Sequence, residues 1–98
     1  MLRFDMTPEG KIEKYFKKRV EETGGRTRKL KWIEHNGAPD RIAWWPCTGP
    51  IFVELKKPGK EPTKRQKEEH RLMREDGLVV YVLDSKMKID SFVLLWAL

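Results

Sequence analysis

Apolar residues return along the chain in two rhythms. Ile12, Tyr15, Phe16 and Val20 recur every three or four positions, which lays one apolar stripe along a helix. Thr7-Pro8-Glu9 starts that helix, with a hydroxyl at the N-cap, proline in the first turn and an acid at the positive end of the dipole. Gly24-Gly25 ends it. Basic residues 26–31 then lead to a short strand expected around residues 30–34, followed by a turn at His35-Asn36-Gly37-Ala38-Pro39. Residues 41–45 read as a strand and residues 51–57 as a clearer one, hairpin-paired with it across the loop of residues 46–50. After a second loop, Thr63-Lys64-Arg65-Gln66 has capping-box spacing and opens a helix that runs to about Asp76 and stops at Gly77. Residues 78–83, rich in valine, are expected to form a buried central strand. Ser85 can cap a last helix with Ile89, Phe92, Val93 and Trp96 on one face. The order is αβββαβα, an α/β pattern, after a short leader over residues 1–5.

Three charges interrupt this pattern. Strand side chains alternate faces, so Ile51, Val53 and Leu55 share one side, and Phe52, Glu54 and Lys56 the other. A hairpin brings Asp40, at the head of the preceding strand, beside Glu54. Two carboxylates held close repel unless they share a proton or a cation. Oxygen donors without sulfur or imidazole suit Mg²⁺ or Mn²⁺. Lys56, on the face of Glu54, could then position a water or meet charge growing on a phosphate. The same residues also fit an ion pair on an exposed sheet face, with Asp40 capping a turn.

Asp40 follows Pro39, and Glu54-Leu55-Lys56 lies inside an apolar strand fourteen positions on; this resembles the PD-(D/E)xK nuclease superfamily. The longer string "NGAPDRIAWWP…GPIFVELKKPGKEPTKRQ" resembles the VRR-NUC domain family within it, and the likeness continues through "GLVVYVLDS". The resemblance implies a restriction-endonuclease-like αβββαβ core, a mixed sheet flanked by helices, here with an extra C-terminal helix. It implies that Asp40 and Glu54 bind a divalent metal, that the Leu55 carbonyl adds a ligand and that Lys56 is the catalytic lysine. Gln66 matches a glutamine of the family's site, although it also completes the capping box; the two roles are expected to require a change of partner. A first-helix glutamate contributes in the family, and Glu9 and Glu13 are the candidates. The apolar stripe centres nearer Glu9, which is expected to lean further toward the core. His70, one turn past Gln66, reads as a packing or surface residue that could touch the site. Of Trp44 and Trp45, which point to opposite sides, one belongs in the core and the other faces a partner chain or nucleic acid.

Composition adds the partner. The chain has 98 residues, which suits one domain over 1–98, and a formal net charge of +6, which favours a polyanion. Basic residues cluster on the first helix, over residues 26–31 and around the proposed centre at Lys57, Lys60, Lys64, Arg65 and Lys67. The last group suits backbone-phosphate contact. Cys47 is the only cysteine and His35 and His70 the only histidines, so neither an intrachain disulfide nor a Cys/His zinc site is expected. The N-terminus is polar by residue 5, no apolar run approaches membrane-spanning length, and the lack of a disulfide framework suits a reducing cytoplasm; the resemblance to phage and bacterial members implies that of a bacterial or phage-infected cell. The family's stand-alone phage and bacterial members pair as homodimers and cut four-way junctions; Leu94, Leu95 and Leu98 could extend the last helix into such an interface. The expectation is a Mg²⁺- or Mn²⁺-dependent endonuclease for branched DNA, a Holliday-junction resolvase. A flap or nicking nuclease, or a non-cleaving nucleic-acid-binding module, are the alternatives.

Overall fold

Thr7 accepts a hydrogen bond from the Gly10 amide at 3.1 Å and starts α1, Pro8–Glu22. The computed structural model describes residues 7–97. The leader over residues 1–5, and Leu98 of the expected interface, lie outside them. Ile12, Phe16 and Val20 are buried and Tyr15 half-buried, as the stripe requires. The helix closes with Gly24 at φ +89, its amide donating to Glu21 O at 3.1 Å while Gly25 N donates to Val20 O at 2.9 Å. This double closure needs a left-handed residue, which glycine supplies without a Cβ penalty.

The chain then forms β1 (Arg26–Lys29), β2 (Arg41–Trp44), β3 (Ile51–Leu55), α2 (Lys64–Glu75), β4 (Val79–Leu83) and α3 (Lys86–Trp96). The sheet order is β1-β2-β3-β4, with the first two pairings antiparallel and β3 parallel to β4. The mixed sheet follows from the connections. A hairpin joins β2 to β3, whereas α2 carries the chain over to a parallel strand.

Two expectations about strands do not hold. The first strand lies at residues 26–29 rather than 30–34. Leu30 N donates to Asp40 O at 2.7 Å where the ladder ends, and Leu30 and Trp32 then turn onto the cluster of Phe52, Met73 and Val80. Glu34, at φ +62, bends the segment away from extended geometry. The valine-rich β4 is an edge strand, not a central one, because the crossover places it outside β3 and the chain continues as helix. The strand buried at every position is β3.

Helices α1 and α3 share one face of the sheet. There Phe16, Val20, Ile89, Phe92 and Val93 pack on Ala43, Ile51, Val53 and Leu55. Burying each large apolar side chain contributes about 1.5–3 kcal/mol. Helix α2 covers the other face through Met73, which meets Phe52 and Val80. Arg74 donates to the Val80 carbonyl at 2.8 Å and so satisfies part of the open β4 edge. Among the described residues, no helix is long and apolar enough to cross a membrane.

Candidate active site

The β2–β3 register pairs Arg41 with Val53, so Asp40, one step before, stands opposite Glu54. Asp40 Oδ2 accepts from Leu55 N at 3.0 Å. Glu54 is 1% exposed, yet Lys56 Nζ reaches its Oε2 at 3.0 Å. Burial pushes the Asp40 carboxyl above its usual range against the pull of the Leu55 amide and Lys56, and Glu13 and Glu9 push it further. Burial raises Glu54 too, with Asp40's charge the next cause and Lys56 opposing. The charge on Asp40 therefore destabilises the charge on Glu54. Among the described residues the buried Glu54 Oε1 has no hydrogen-bond partner. An oxygen in that state calls for a proton or a cation.

Gln66 holds two bonds at once. Its Oε1 accepts from Thr63 N at 2.9 Å, completing the capping box, and its Nε2 donates to Glu54 Oε2 at 3.0 Å. No change of partner is needed, because an amide has an acceptor at one end and a donor at the other. Thr63 thus fixes the side chain that fixes Glu54.

Glu9 and Glu13 both line a cavity of about 270 Å³ with Lys29, Leu30, Asp40 and Leu55. Glu9 does not lean further into the core. It is exposed while Glu13 is half-buried, because Glu9 lies in the first turn, ahead of the first buried apolar residue, Ile12. Glu13 lies 3.7 Å from both Lys29 Nζ and Arg41 Nη1. Among the described residues Glu9 forms no such pair, and it lines the same cavity. His70 is buried on α2, its Nε2 without a partner among the described residues, and burial holds its pKa low. Lys57, Lys60, Lys64, Arg65 and Lys67 are all exposed, and Lys67 pairs with Glu61 at 3.5 Å.

The composition and spacing of the chain do not reveal the anchor of the loop that delivers Asp40. Glu69 on α2 accepts from Trp32 Nε1 at 2.6 Å through Oε2 and lies 3.1 Å from His35 Nε2 through Oε1. Its position three residues past Gln66 was the available signal, since both then share a helix side. Gly37, at φ +96, seats the same loop on α2. A Cβ there would lie 2.9 Å from Arg65 O and from Glu69 Cβ. Gly37→Ala is expected to lower stability by about 1–3 kcal/mol, through strain and overlap together. Cleavage should fall with it, since Asp40 follows three residues on. Urea unfolding with an unchanged midpoint would show that the loop does not need this contact.

Among the described residues, no three acidic, histidine or cysteine side chains close on one point as a preformed metal cage would. Mg²⁺ does not require one: it keeps several waters and is held through one or two carboxylates and substrate phosphates. The unpartnered Glu54 oxygen, the adjacent Asp40 and the cavity at Leu55 fit such an ion.

Profiles of known protein families give no match to the chain. A protein of Acyrthosiphon pisum secondary endosymbiont phage 1, named "Putative nuclease p44", is 40% identical over 78 residues, spanning 80% of this chain and 84% of that protein. A solved structure described as a VRR_NUC domain superposes with a TM-score of 0.84 at 36% identity, covering 90% of this chain and 96% of the other.

Proposed function

The chain belongs to the VRR-NUC family of nucleases, and from that membership we infer that it is a Mg²⁺- or Mn²⁺-dependent endodeoxyribonuclease for branched DNA, acting as a homodimer on four-way (Holliday) junctions. One observation supports the reading above all: Asp40 stands opposite Glu54 at one end of the sheet, where Lys56 pairs with one Glu54 oxygen and the other, buried, has no partner among the described residues.

Asp40, Glu54, the Leu55 carbonyl and Glu9 would hold the ion. Such an ion lowers the pKa of a bound water and offsets charge on a phosphate under attack. Gln66 orients Glu54 from α2, and the Leu55 amide orients Asp40. Lys56 donates from the same strand face, where it can hold the attacking water and meet the charge that grows on phosphorus oxygens. Lys57, Lys60, Lys64, Arg65 and Lys67 supply phosphate contacts that carry no base specificity. Selectivity then comes from DNA shape.

Pairing would use the exposed apolar side of α3. Met87, Leu94 and Leu95 on α3 are 78%, 73% and 59% exposed, and Met87 and Leu95 line a groove with Tyr81, Val82 and Leu83 of the edge strand β4. A two-fold axis there would give two sites that nick opposing strands. Residues 1–98 would act as one nuclease domain in the cytoplasm of a bacterial or phage-infected cell.

The test compares labelled four-way, flap, splayed-arm and linear duplex DNA at matched salt in Mg²⁺, Mn²⁺ or EDTA, with sedimentation of the protein at several concentrations. Paired symmetric cuts in the four-way junction, absent in EDTA, and a dimer at working concentration are expected. Preference for the flap would give the activity to a flap nuclease. Binding without cleavage of any form in either metal would leave a non-cutting module.

A further inference from the structure

At the far end of β2 from Asp40, the sheet carries a second basic and aromatic surface. Cross-strand partners share a face, so Arg26 opposite Trp44, and Arg28 opposite Ile42, point to the same side of the sheet as Phe52. Helix α2 packs over that face on Phe52 and Val80, and Leu30 and Trp32 pack beside Ile42. Arg26 and Arg28 remain exposed, and Trp44 is half-buried. The Arg28 guanidinium lies over the Trp44 ring, 5.7 Å from its centroid. Among the described residues neither arginine forms an ion pair, and the Arg28 guanidinium donates instead to the Thr27 carbonyl at 2.9 Å. The sister tryptophan, Trp45, is 3% exposed, and its Nε1 donates to Thr23 at 3.0 Å. Core packing therefore accounts for Trp45 and leaves the exposed part of Trp44 unexplained.

We infer that Arg26, Arg28 and Trp44 form a DNA subsite, separate from the cleavage centre, that stacks a base left unstacked where an arm flanking the cut branches and holds its phosphates. This rests on the nuclease reading for the identity of the strand. A flat indole accepts the π-face of any base. The Arg28 guanidinium, which lies over that ring in the free protein, would give its place to the base and move to the phosphate on one side, while Arg26, opposite Trp44, would hold the phosphate on the other. Trp44 lies four residues along an extended strand from Asp40, or about 13 Å. At a rise of about 3.4 Å per base, that is roughly four steps from the scissile phosphate. The subsite would therefore meet a neighbouring arm rather than the nucleotide being cut. An arm with unstacked bases would gain a contact there that continuous duplex cannot make, so the surface would favour branched over linear DNA.

The test is fluorescence anisotropy with a labelled splayed-arm DNA and a matched duplex, in EDTA, so that binding is read apart from cleavage. Trp44→Ala is expected to weaken splayed-arm binding about tenfold and duplex binding much less, and Trp44→Phe to stay within about threefold of the parent. Arg26→Ala and Arg28→Ala should each reduce the slope of log affinity against log salt by about one. These two exposed positions carry the test if Trp44→Ala unfolds. Parent-like splayed-arm binding by Trp44→Ala, with unchanged slopes in both arginine variants, would overturn the inference. A changed sedimentation coefficient in Trp44→Ala with unaltered DNA binding would also overturn it, marking a protein contact instead. If the parent never cleaves DNA but the Trp44 and arginine effects appear, the subsite stands and only the nuclease reading fails.

Discussion

Asp40→Asn is expected to reduce cleavage by at least about 10³-fold while leaving the metal-free protein more stable than the parent. The substitution keeps an oxygen that can accept from Leu55 N, so the hairpin geometry is retained. It removes the charge that helps raise the Glu54 pKa, and relief of that repulsion should add roughly 1 kcal/mol, or about 4–8 °C in Tm for a chain of this size. The pH dependence has a definite sign. Both carboxyls have raised pKa values in the folded chain, so they cost no stability at low pH, where folded and unfolded forms are both protonated. The cost appears as pH rises from about 4, where unfolded carboxylates ionise, through the raised folded values, and is constant above them. The advantage of Asp40→Asn should therefore be small near pH 3, grow through that window and level off. Asp84, held low by Lys88, and Asp90, held low by Tyr15 and Arg19, act in the opposite direction in both proteins and cancel in the difference. Thermal melts of both proteins across pH, with and without Mn²⁺, check this. Mn²⁺ should raise the parent's Tm and leave that of Asp40→Asn nearly unchanged. A less stable variant, or one that still cleaves within tenfold of the parent, would sink the shared-charge account of the site.

The parts of the fold legible in the sequence were those written in local chemistry. Thr7, Thr63 and Ser85 all cap the helices expected of them, and the hairpin that sets Asp40 opposite Glu54 follows from alternation and a short loop. What was not legible depended on partners distant in the chain. The apolar alternation of residues 30–34 resembles a strand, but Leu30 and Trp32 use their apolar surface on the α2 side of the sheet and Glu69 captures Trp32. The valines of β4 indicate burial without indicating position, since an edge strand packed between helices needs as much apolar surface as a central one. Helical periodicity favoured Glu9 over Glu13 by angle, yet an angle does not say where the helix overhangs the sheet. Gln66 shows a further limit: sequence spacing identifies two roles but not that one amide can serve both. The answer to why charges occupy these strands is that Glu54 is buried with its cation, at a cost that a bound ion would offset.

That cost makes Lys56→Met the converse of Asp40→Asn. Both variants should be inactive, with cleavage by Lys56→Met also down by about 10³-fold or more and DNA affinity within a few-fold of the parent. Their stabilities should move in opposite directions. The Lys56 side chain is 14% exposed and that of Glu54 1%, so methionine leaves a buried carboxylate without its cation. Breaking such a pair from one side costs about 3–5 kcal/mol, with the lower end expected here because some solvent reaches Lys56. The loss should be full at pH 8 and shrink as pH falls through the raised Glu54 pKa, where the carboxyl takes up a proton and no longer needs a partner. Adding Glu54→Gln to Lys56→Met should then recover most of the stability, because a neutral amide beside a thioether has no charge to bury, while cleavage stays absent. The two substitutions would be strongly non-additive in stability, as expected for residues in direct contact. Urea unfolding of the four proteins of this cycle at pH 5 and pH 8 measures both effects. An additive cycle at pH 8 would mean that Glu54 is already protonated in the parent, in which case Lys56 is held by something other than its charge.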